Sequence, residues 1–349
     1  MNKKGIAVVG RMAEGTQLLD GQTVKTKILL EELRRCYPNH TFVCVDTYQY
    51  RKRAIPILFD TARAFLQCEH IFVLLSRNGR KFFFPLLTGL NHFFHRRLYH
   101  DVVGGALPGE AAKSPALQRQ LKQFEINWVE FAQMKEALEQ LGINNVEVLP
   151  NFKRLNLLQE EDLKDYHQEP FIFTMFSRVV KEKGIEEAAR SIDAANRYFG
   201  SKRVELHIYG PVDPQYKEEF QKLLKTYEHC VIYKGCIPQN KSVEALRSSF
   251  MLLFPSYYAG EGMPGTIIDA FSAGLPVIAT DWHFNGELVK NGITGYCYDW
   301  QKPERLTEHI IYSVTHSSEV NAMRSACLKE ARCYTPEAAM KQICQKLNE

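Results

Sequence analysis

Short apolar runs rich in Val, Ile and Phe alternate along this chain with stretches whose apolar residues recur every three to four positions. The runs at 5–10, 41–45, 70–76, 98–103, 127–131 and 146–149 read as buried strands, and residues 23–36 as an amphipathic helix. Around 150–170 the chain turns polar, charged and aperiodic, which marks a linker. The alternation then restarts, with strands predicted at 170–176, 204–209, 230–233, 249–254, 276–280 and 295–298. A helix opens near Ile185, carrying Ile185, Ala188, Ala189, Ile192 and Phe199 at helical spacing, and a last helix begins near Pro336. Strand alternating with helix at this spacing specifies parallel sheets covered on both faces. The expectation is an α/β protein of two doubly wound parallel-sheet domains, residues 1–160 and 161–334, with the helix at about 335–349 packing back on the first. Such sheets bind ligands beyond the carboxyl ends of their strands, so two in tandem make a cleft.

Polar chemistry concentrates in residues 254–281, FPSYYAGEGMPGTIIDAFSAGLPVIATD. Pro264 suits the first position of a short helix, and Gly262 and Gly265 let backbone approach a bound group. On that helix Ile267, Ile268, Phe271 and Leu275 share a face while Asp269 falls nearly opposite, so Asp269 is expected to stay out of the packing. Glu261 precedes Asp269 by eight residues, across the junction of loop and helix. A second polar turn, SRVVKEKGIEEAARSI, places Arg178, Lys181 and Lys183 between a strand end and the helix near Ile185. Cations beside a helix start suit a diphosphate. Each feature has a plainer reading, a turn feeding a core helix or a solvated basic loop. Two anion-attracting features beside one sheet outweigh it.

At 349 residues the chain accommodates two domains, and 45% hydrophobic with 24% charged residues is a globular balance. A net charge of +4 is too small to imply nucleic acid. The start, MNKKGIAVVGRM, reads as a first strand and not a signal peptide, and no stretch approaches the ~20 apolar residues of a membrane span. Nine cysteines without a C-x-x-C pair argue against a disulfide framework or zinc site, and point to the reducing cytosol. No D-x-D or other ligand set occurs, so neither metal nor cofactor is expected. The first strand-to-helix turn carries Gly15 and Gly21 without matching G-x-G-x-x-G, which argues against a nicotinamide dehydrogenase. Gly21 and, after a predicted strand, His100, Asp101, Gly104 and Gly105 are candidates to line the cleft from the first domain; a packed or surface histidine is the plainer reading of His100. Basic and aromatic residues cluster at 76–100, with Arg77, Arg80, Lys81, Arg96 and Arg97 around Phe82, Phe83, Phe84, Phe93 and Phe94. This mixture suits an anionic membrane, with a core helix carrying basic ends as the alternative.

Three motifs occur together: R-x-x-x-x-K-G at Arg178, Lys183 and Gly184; E-G-x-P at Glu261 with the second acid Asp269; and A-x-G-x-P-V-I-A-T-D from Ala273 to Asp281. The combination resembles glycosyltransferase family 4. The segments VVGGALP, INWVEFAQMKEAL and NVEVLPNFK are similar to members found in bacterial surface-polysaccharide clusters, so the resemblance covers nearly the whole chain. It implies the GT-B architecture, two Rossmann-like domains facing across a cleft, and a retaining transfer from a nucleotide-sugar to a saccharide, with a lipid-linked acceptor at the cytoplasmic face of the membrane. By that resemblance Arg178 and Lys183 hold the diphosphate as leaving group, and Glu261 sits beside the transferred sugar. Gly262, Met263, Pro264, Gly265 and Thr266 belong to the donor-binding loop, and Gly210 and the stretch from Gly235 to Ile237 frame the base. Asp269 accepts hydrogen bonds from the ribose, where the family usually has Glu. Two alternatives are a nucleotide-sugar epimerase or hydrolase of the same fold, and a non-catalytic sugar-nucleotide-binding or membrane-associated protein. Intact Arg178, Lys183 and Glu261 favour transfer.

Overall fold

The computed structural model describes residues 5–15, 21–238 and 241–349. The residues from Thr16 to Asp20 of the first glycine-containing turn therefore lie outside the described residues. The strands form as the alternation predicts, in two separate units. In the first, β1 (Gly5–Gly10), α1 (Gly21–Cys36), β2 (Thr41–Asp46), α2 (Ala54–Gln67), β3 (His70–Leu74), α3 (Arg77–Phe94) and β4 (Arg97–Asp101) come in turn. The short α4 (Leu107–Ala112) and α5 (Pro115–Leu121) precede β5 (Ile126–Val129), α6 (Ala132–Glu139) and β6 (Val146–Val148). The second opens with β7 (Phe171–Phe176), α7 (Ile185–Phe199), β8 (Val204–Tyr209), α8 (Lys217–Thr226) and β9 (Val231–Gly235). It continues through α9 (Ser242–Leu246), β10 (Met251–Phe254), α10 (Gly265–Ser272), β11 (Val277–Thr280), α11 (Asn285–Leu288), β12 (Gly295–Tyr298), α12 (Glu304–Thr315) and α13 (Ser317–Ala331). The chain then ends in α14 (Pro336–Asn348), within the first unit.

All strand pairs are parallel, in the orders β2-β1-β3-β4-β5-β6 and β12-β11-β10-β7-β8-β9. Right-handed crossovers put α1 on the face of the first sheet opposite α2 and α3. Ala339, Met340, Ile343 and Leu347 of α14 join Ile28, Leu29 and Leu33 of α1 over Phe72, Tyr99 and Trp128 of the sheet. In the second sheet the chain moves outward from β7 through β8 and β9, then returns to β7's other side with β10. The carboxyl ends of β7 and β10 thus flank a topological switch point, where open sheets of this kind leave a crevice.

The units divide at Arg154 and Leu155, six residues before the expected boundary. Hydrogen bonds explain the shift: the Leu158 amide donates to the Ser272 carbonyl at 2.9 Å, and the Ser325 hydroxyl donates to the Glu160 carboxylate at 2.6 Å. The predicted linker is anchored within both units, Phe152 in the first core and Tyr166 in the second.

One expectation for the first unit needs correction. His100 does not line a surface: it is fully buried in β4, edge-on to Phe84 at 4.9 Å, with Nδ1 3.0 Å from Asn127 Oδ1. The basic and aromatic cluster at 76–100 divides between packed and open positions, with Arg77, Lys81, Phe82 and Phe93 exposed and Phe94, Arg96 and Arg97 half-buried. Phe83 and Phe84 are buried, and the Phe94 ring packs on Phe65 at 5.6 Å. Arg80 donates to the Leu75 carbonyl at 3.0 Å and to Glu110 at 2.7 Å, while Arg96 donates to the Phe65 carbonyl at 2.9 Å. Of the cluster's phenylalanines, Phe82 and Phe93 are the exposed ones.

Burial, with the nearby Arg80 charge, lowers the His100 pKa from 6.5 to about 3. The unfolded chain therefore binds the proton first, so stability present above pH 6.5 is lost as pH falls toward 3. Denaturant titrations of wild type and His100→Gln should diverge in slope over this window. The histidine is expected to cost the wild type on the order of 2–3 kcal/mol by about pH 4.5.

Candidate active site

Beyond β7 the chain passes Ser177 and the exposed Arg178, closes a turn at Lys181–Lys183, and enters α7 through Gly184. Gly184 has φ +74°, and a Cβ there would stand 2.3 Å from the Pro255 carbonyl oxygen. Only glycine lets the turn touch the chain leaving β10 in this way. The Tyr257 amide donates to the Glu182 carbonyl at 2.9 Å and its hydroxyl to the Lys181 carbonyl at 3.2 Å. Two strand ends are thereby joined across the switch point.

This junction brings Lys183 onto Glu261. Their side chains form an ion pair, each about 11% exposed. Ser256 Oγ donates to the same carboxylate oxygen at 2.9 Å. The lysine ammonium also lies 5.1 Å from the centre of the Phe254 ring and 5.3 Å from that of Tyr258. The Arg178 guanidinium lies 5.7 Å from the Tyr258 ring centre, so one aromatic ring holds both cations. From β11, Thr280 donates to the Ser256 carbonyl at 2.6 Å, and the Trp282 indole donates to the Tyr258 carbonyl at 3.0 Å. The acid loop is therefore braced on a rigid strand.

Gly262 and the buried Met263 carry the loop to α10. Pro264, expected at the first helical position, stands one place earlier, with φ −73° and ψ 112°, and α10 begins at Gly265. Thr266 Oγ1 donates to the Phe176 carbonyl at 2.5 Å, fixing the first turn of α10 against the end of β7. Pro264 gives this helix no side-chain cap, and the Thr266 bond seats the helix's amino end, with its partial positive charge, beside the end of β7. Asp269 departs from expectation: it is 7% exposed, on a helix packed by both α9 and α13 with no solvated face. Sequence periodicity placed it opposite the apolar stripe, but periodicity does not report how many neighbouring helices a short helix meets.

Gly210, at the end of β8, has φ +134° and comes so close to Ser177 that a Cβ would lie 1.9 Å from its carbonyl oxygen. Its amide donates to the Gly235 carbonyl at 2.9 Å, and Tyr233 donates to the Gly210 carbonyl at 2.9 Å. Ile237 follows β9, half-buried. Arg178, Lys183, Gly210, Ile237, Glu261 to Thr266 and Asp269 thus all lie at or just beyond the carboxyl end of one sheet. Gly21, the exposed first residue of α1, and His100 belong to the other unit. The sequence reading passed over Ser256, Tyr258 and Thr280. Only the three-dimensional approach of the two loops gives them their role.

Among the described residues, Asp193, His229 and Cys230 offer donor atoms within 4.8 Å of one another. His229 and Cys230 precede β9, at the sheet's amino end, away from the cations. Burial pushes the Cys230 thiol up to about 11, and Asp193 already pairs with Arg197 at 2.7 Å and His229 at 2.9 Å. The trio is an ion-pair network beside a neutral thiol.

Comparison with known proteins extends this geometry. Residues 159–332 match the family model for "Glycosyl transferases group 1". The chain is 25% identical over 146 residues to the amylovoran biosynthesis glycosyltransferase AmsK of Erwinia amylovora, covering 41% of this chain and 34% of that protein. It is 27% identical over 147 residues to an uncharacterized glycosyltransferase, MJ1059, of Methanocaldococcus jannaschii, covering 40% and 34%. The matches thus span about a third of the length of these relatives. Among solved structures, Anabaena Alr3699/HepE in complex with UDP superposes with a TM-score of 0.73 at 14% identity, over 99% of both chains. The apo form of the lipopolysaccharide outer core galactosyltransferase WaaB gives 0.70 at 14% identity, over 98% of this chain and 99% of that one. The fold is GT-B, two Rossmann-like units.

The Gly184 contact has a direct test. Gly184→Ala must move the turn off Pro255 and strain φ, whereas Gly200→Ala meets nothing within 4 Å at a similar φ of +66°. Thermal or denaturant unfolding should show a loss of about 1–3 kcal/mol from backbone strain in each. The first variant should lose measurably more than the second.

Proposed function

We propose that this chain, which belongs to the glycosyl transferases group 1 family through residues 159–332, moves a sugar from a nucleotide-sugar to a saccharide acceptor with net retention. The observation that carries the reading is the Lys183–Glu261 ion pair, with Arg178 on the same aromatic ring, at the switch point of the second sheet. Breaking a glycosyl–phosphate bond leaves positive charge at the anomeric carbon and negative charge on the diphosphate. Arg178, Lys183 and the amino end of α10 answer the negative charge, and the Glu261 carboxylate answers the positive one. In the unliganded protein Lys183 neutralises Glu261. A bound diphosphate draws part of that ammonium's interaction to itself and leaves the carboxylate to the sugar.

Asp269 serves the ribose hydroxyls at the inner end of the site, and the backbone around Gly210 and Ile237 frames the base. A uridine diphosphate donor is the first to test, because UDP occupies a structural neighbour that matches the full length of this chain. Similarity to an amylovoran biosynthesis glycosyltransferase supports placement in polysaccharide assembly of the capsule, O-antigen or exopolysaccharide kind. A lipid-linked acceptor and a peripheral position on the cytoplasmic membrane complete the proposal. None of these steps calls for a metal.

The experiment is a thermal-shift titration with UDP-, GDP- and other nucleotide-sugars beside the free nucleoside diphosphates. A true donor raises the melting temperature with occupancy. One base should stabilise the wild type, and Arg178→Ala should lose that shift. Glu261→Gln should keep donor binding while turnover to a sugar acceptor falls by about 10²–10³-fold. Unchanged turnover in Glu261→Gln removes this mechanism. Release of free sugar or of an epimer without transfer favours the hydrolase or epimerase reading.

A further inference from the structure

Helix α2 is apolar on both sides. Ile57, Thr61, Ala64 and Phe65 face inward and are buried. The outer side, where a helix covering a sheet ordinarily carries charge, exposes Ile55 at 83%, Phe59 at 72%, Leu66 at 53% and Leu58 at 45%. With the exposed Ala62 these positions keep three-and-four spacing, so they form one stripe along the whole helix. The neighbouring α3 extends it. Tyr50, just before α2, packs on Phe82 at 5.6 Å, and Phe65 packs on Phe94 at 5.6 Å, so the two helices lie side by side from end to end. Phe82 is 45% exposed at one end and Phe93 is 78% exposed at the other. Large apolar side chains gathered in one place on a surface mark a contact site.

The charge around the stripe identifies the partner. Arg51, Lys52 and Arg53 stand exposed directly before α2, Arg63 lies on it, and Lys81 lies beside Phe82. Arg53 is only 3.8 Å from Asp46, and within residues 51–67 the one acid is Asp60. An apolar stripe flanked by cations with long stems suits the boundary between acyl chains and anionic headgroups. Spanning is not the mode: α2 has 14 residues, and among the described residues no helix is long and apolar enough to cross a membrane.

We infer that the outer stripe of α2, continued by Phe82 and Phe93, docks this protein in the plane of an anionic lipid bilayer. The inference rests on the peripheral placement proposed above and changes its location: the internal residues of α3 are not the contact, and α2, which the aromatic cluster did not include, is its centre.

The test is co-sedimentation of the full chain with vesicles of phosphatidylglycerol and phosphatidylcholine, against phosphatidylcholine alone. Wild type should bind the anionic vesicles, with affinity falling as salt rises. Ile55→Glu/Phe59→Glu and, separately, Arg51→Glu/Lys52→Glu should each weaken binding at least tenfold, with circular dichroism and melting temperature unchanged. Absence of binding to anionic vesicles, or equal binding by the variants, overturns the inference. So does a concentration-dependent dimer that Ile55→Glu/Phe59→Glu abolishes, since a second copy then covers the stripe. The nucleotide thermal shift, run on the same samples, separates the two readings. Retained shift without vesicle binding sinks the docking alone, and vesicle binding without any shift sinks the transferase reading alone.

Discussion

The candidate site depends on one close approach, Gly184 against the carbonyl of Pro255. A parallel sheet delivers chain ends to one edge, but it does not by itself bring the turn after β7 into contact with the loop after β10. A glycine in the left-handed region does so, because there is no Cβ to hold the backbones apart. From that contact follow the tyrosine hydrogen bonds between the two loops, the seating of Lys183 over Phe254 and Tyr258, and its pairing with Glu261. For side chains this sheltered, removing either partner would leave a charge without compensation. The ion pair therefore holds the two loops together, and in the proposed function an anionic ligand would share the cation.

Gly210 performs the same service one strand further along, where its backbone meets Ser177. The two glycines let β7, β8 and β10 end in a tight rim. Arg178 and, on the following turn, Lys181 are exposed, while Lys183 is sheltered. Exposed cations at the mouth and a sheltered cation beside an acid are the arrangement the proposed transfer calls on, since the developing negative charge of a leaving diphosphate needs fixed positive partners.

Much of this was legible in the amino-acid sequence because its signals are local. Runs such as GIAVVG and FIFTMF have no plausible fate but buried parallel strands, and the strands form near the predicted positions. Glu261, Lys183 and Arg178 stood out because charge beside glycine at a strand end has no packing use. What escaped was set by tertiary neighbours. Asp269 was expected on an open face, but α10 packs on both α9 and α13 and Asp269 is buried. His100 looked like a site residue until the ring of Phe84 and the amide of Asn127 closed over it. The cluster at 76–100 allowed either a membrane surface or a core helix with basic ends, and tertiary partners divide it: Arg80 and Arg96 spend their charge on internal carbonyls and Glu110. Conversely, the outer stripe of α2 was hidden in plain composition, since periodicity reports that a helix has apolar faces and not how many of them find a partner.

The measurement that bears most directly on this account is a crystal structure of the protein with a bound nucleoside diphosphate. The account predicts phosphate oxygens within hydrogen-bonding distance of Arg178 and Lys183, in front of the first turn of α10, with Glu261 facing the open side of the terminal phosphate. A diphosphate bound elsewhere, or one that leaves Lys183 wholly engaged with Glu261, would contradict it.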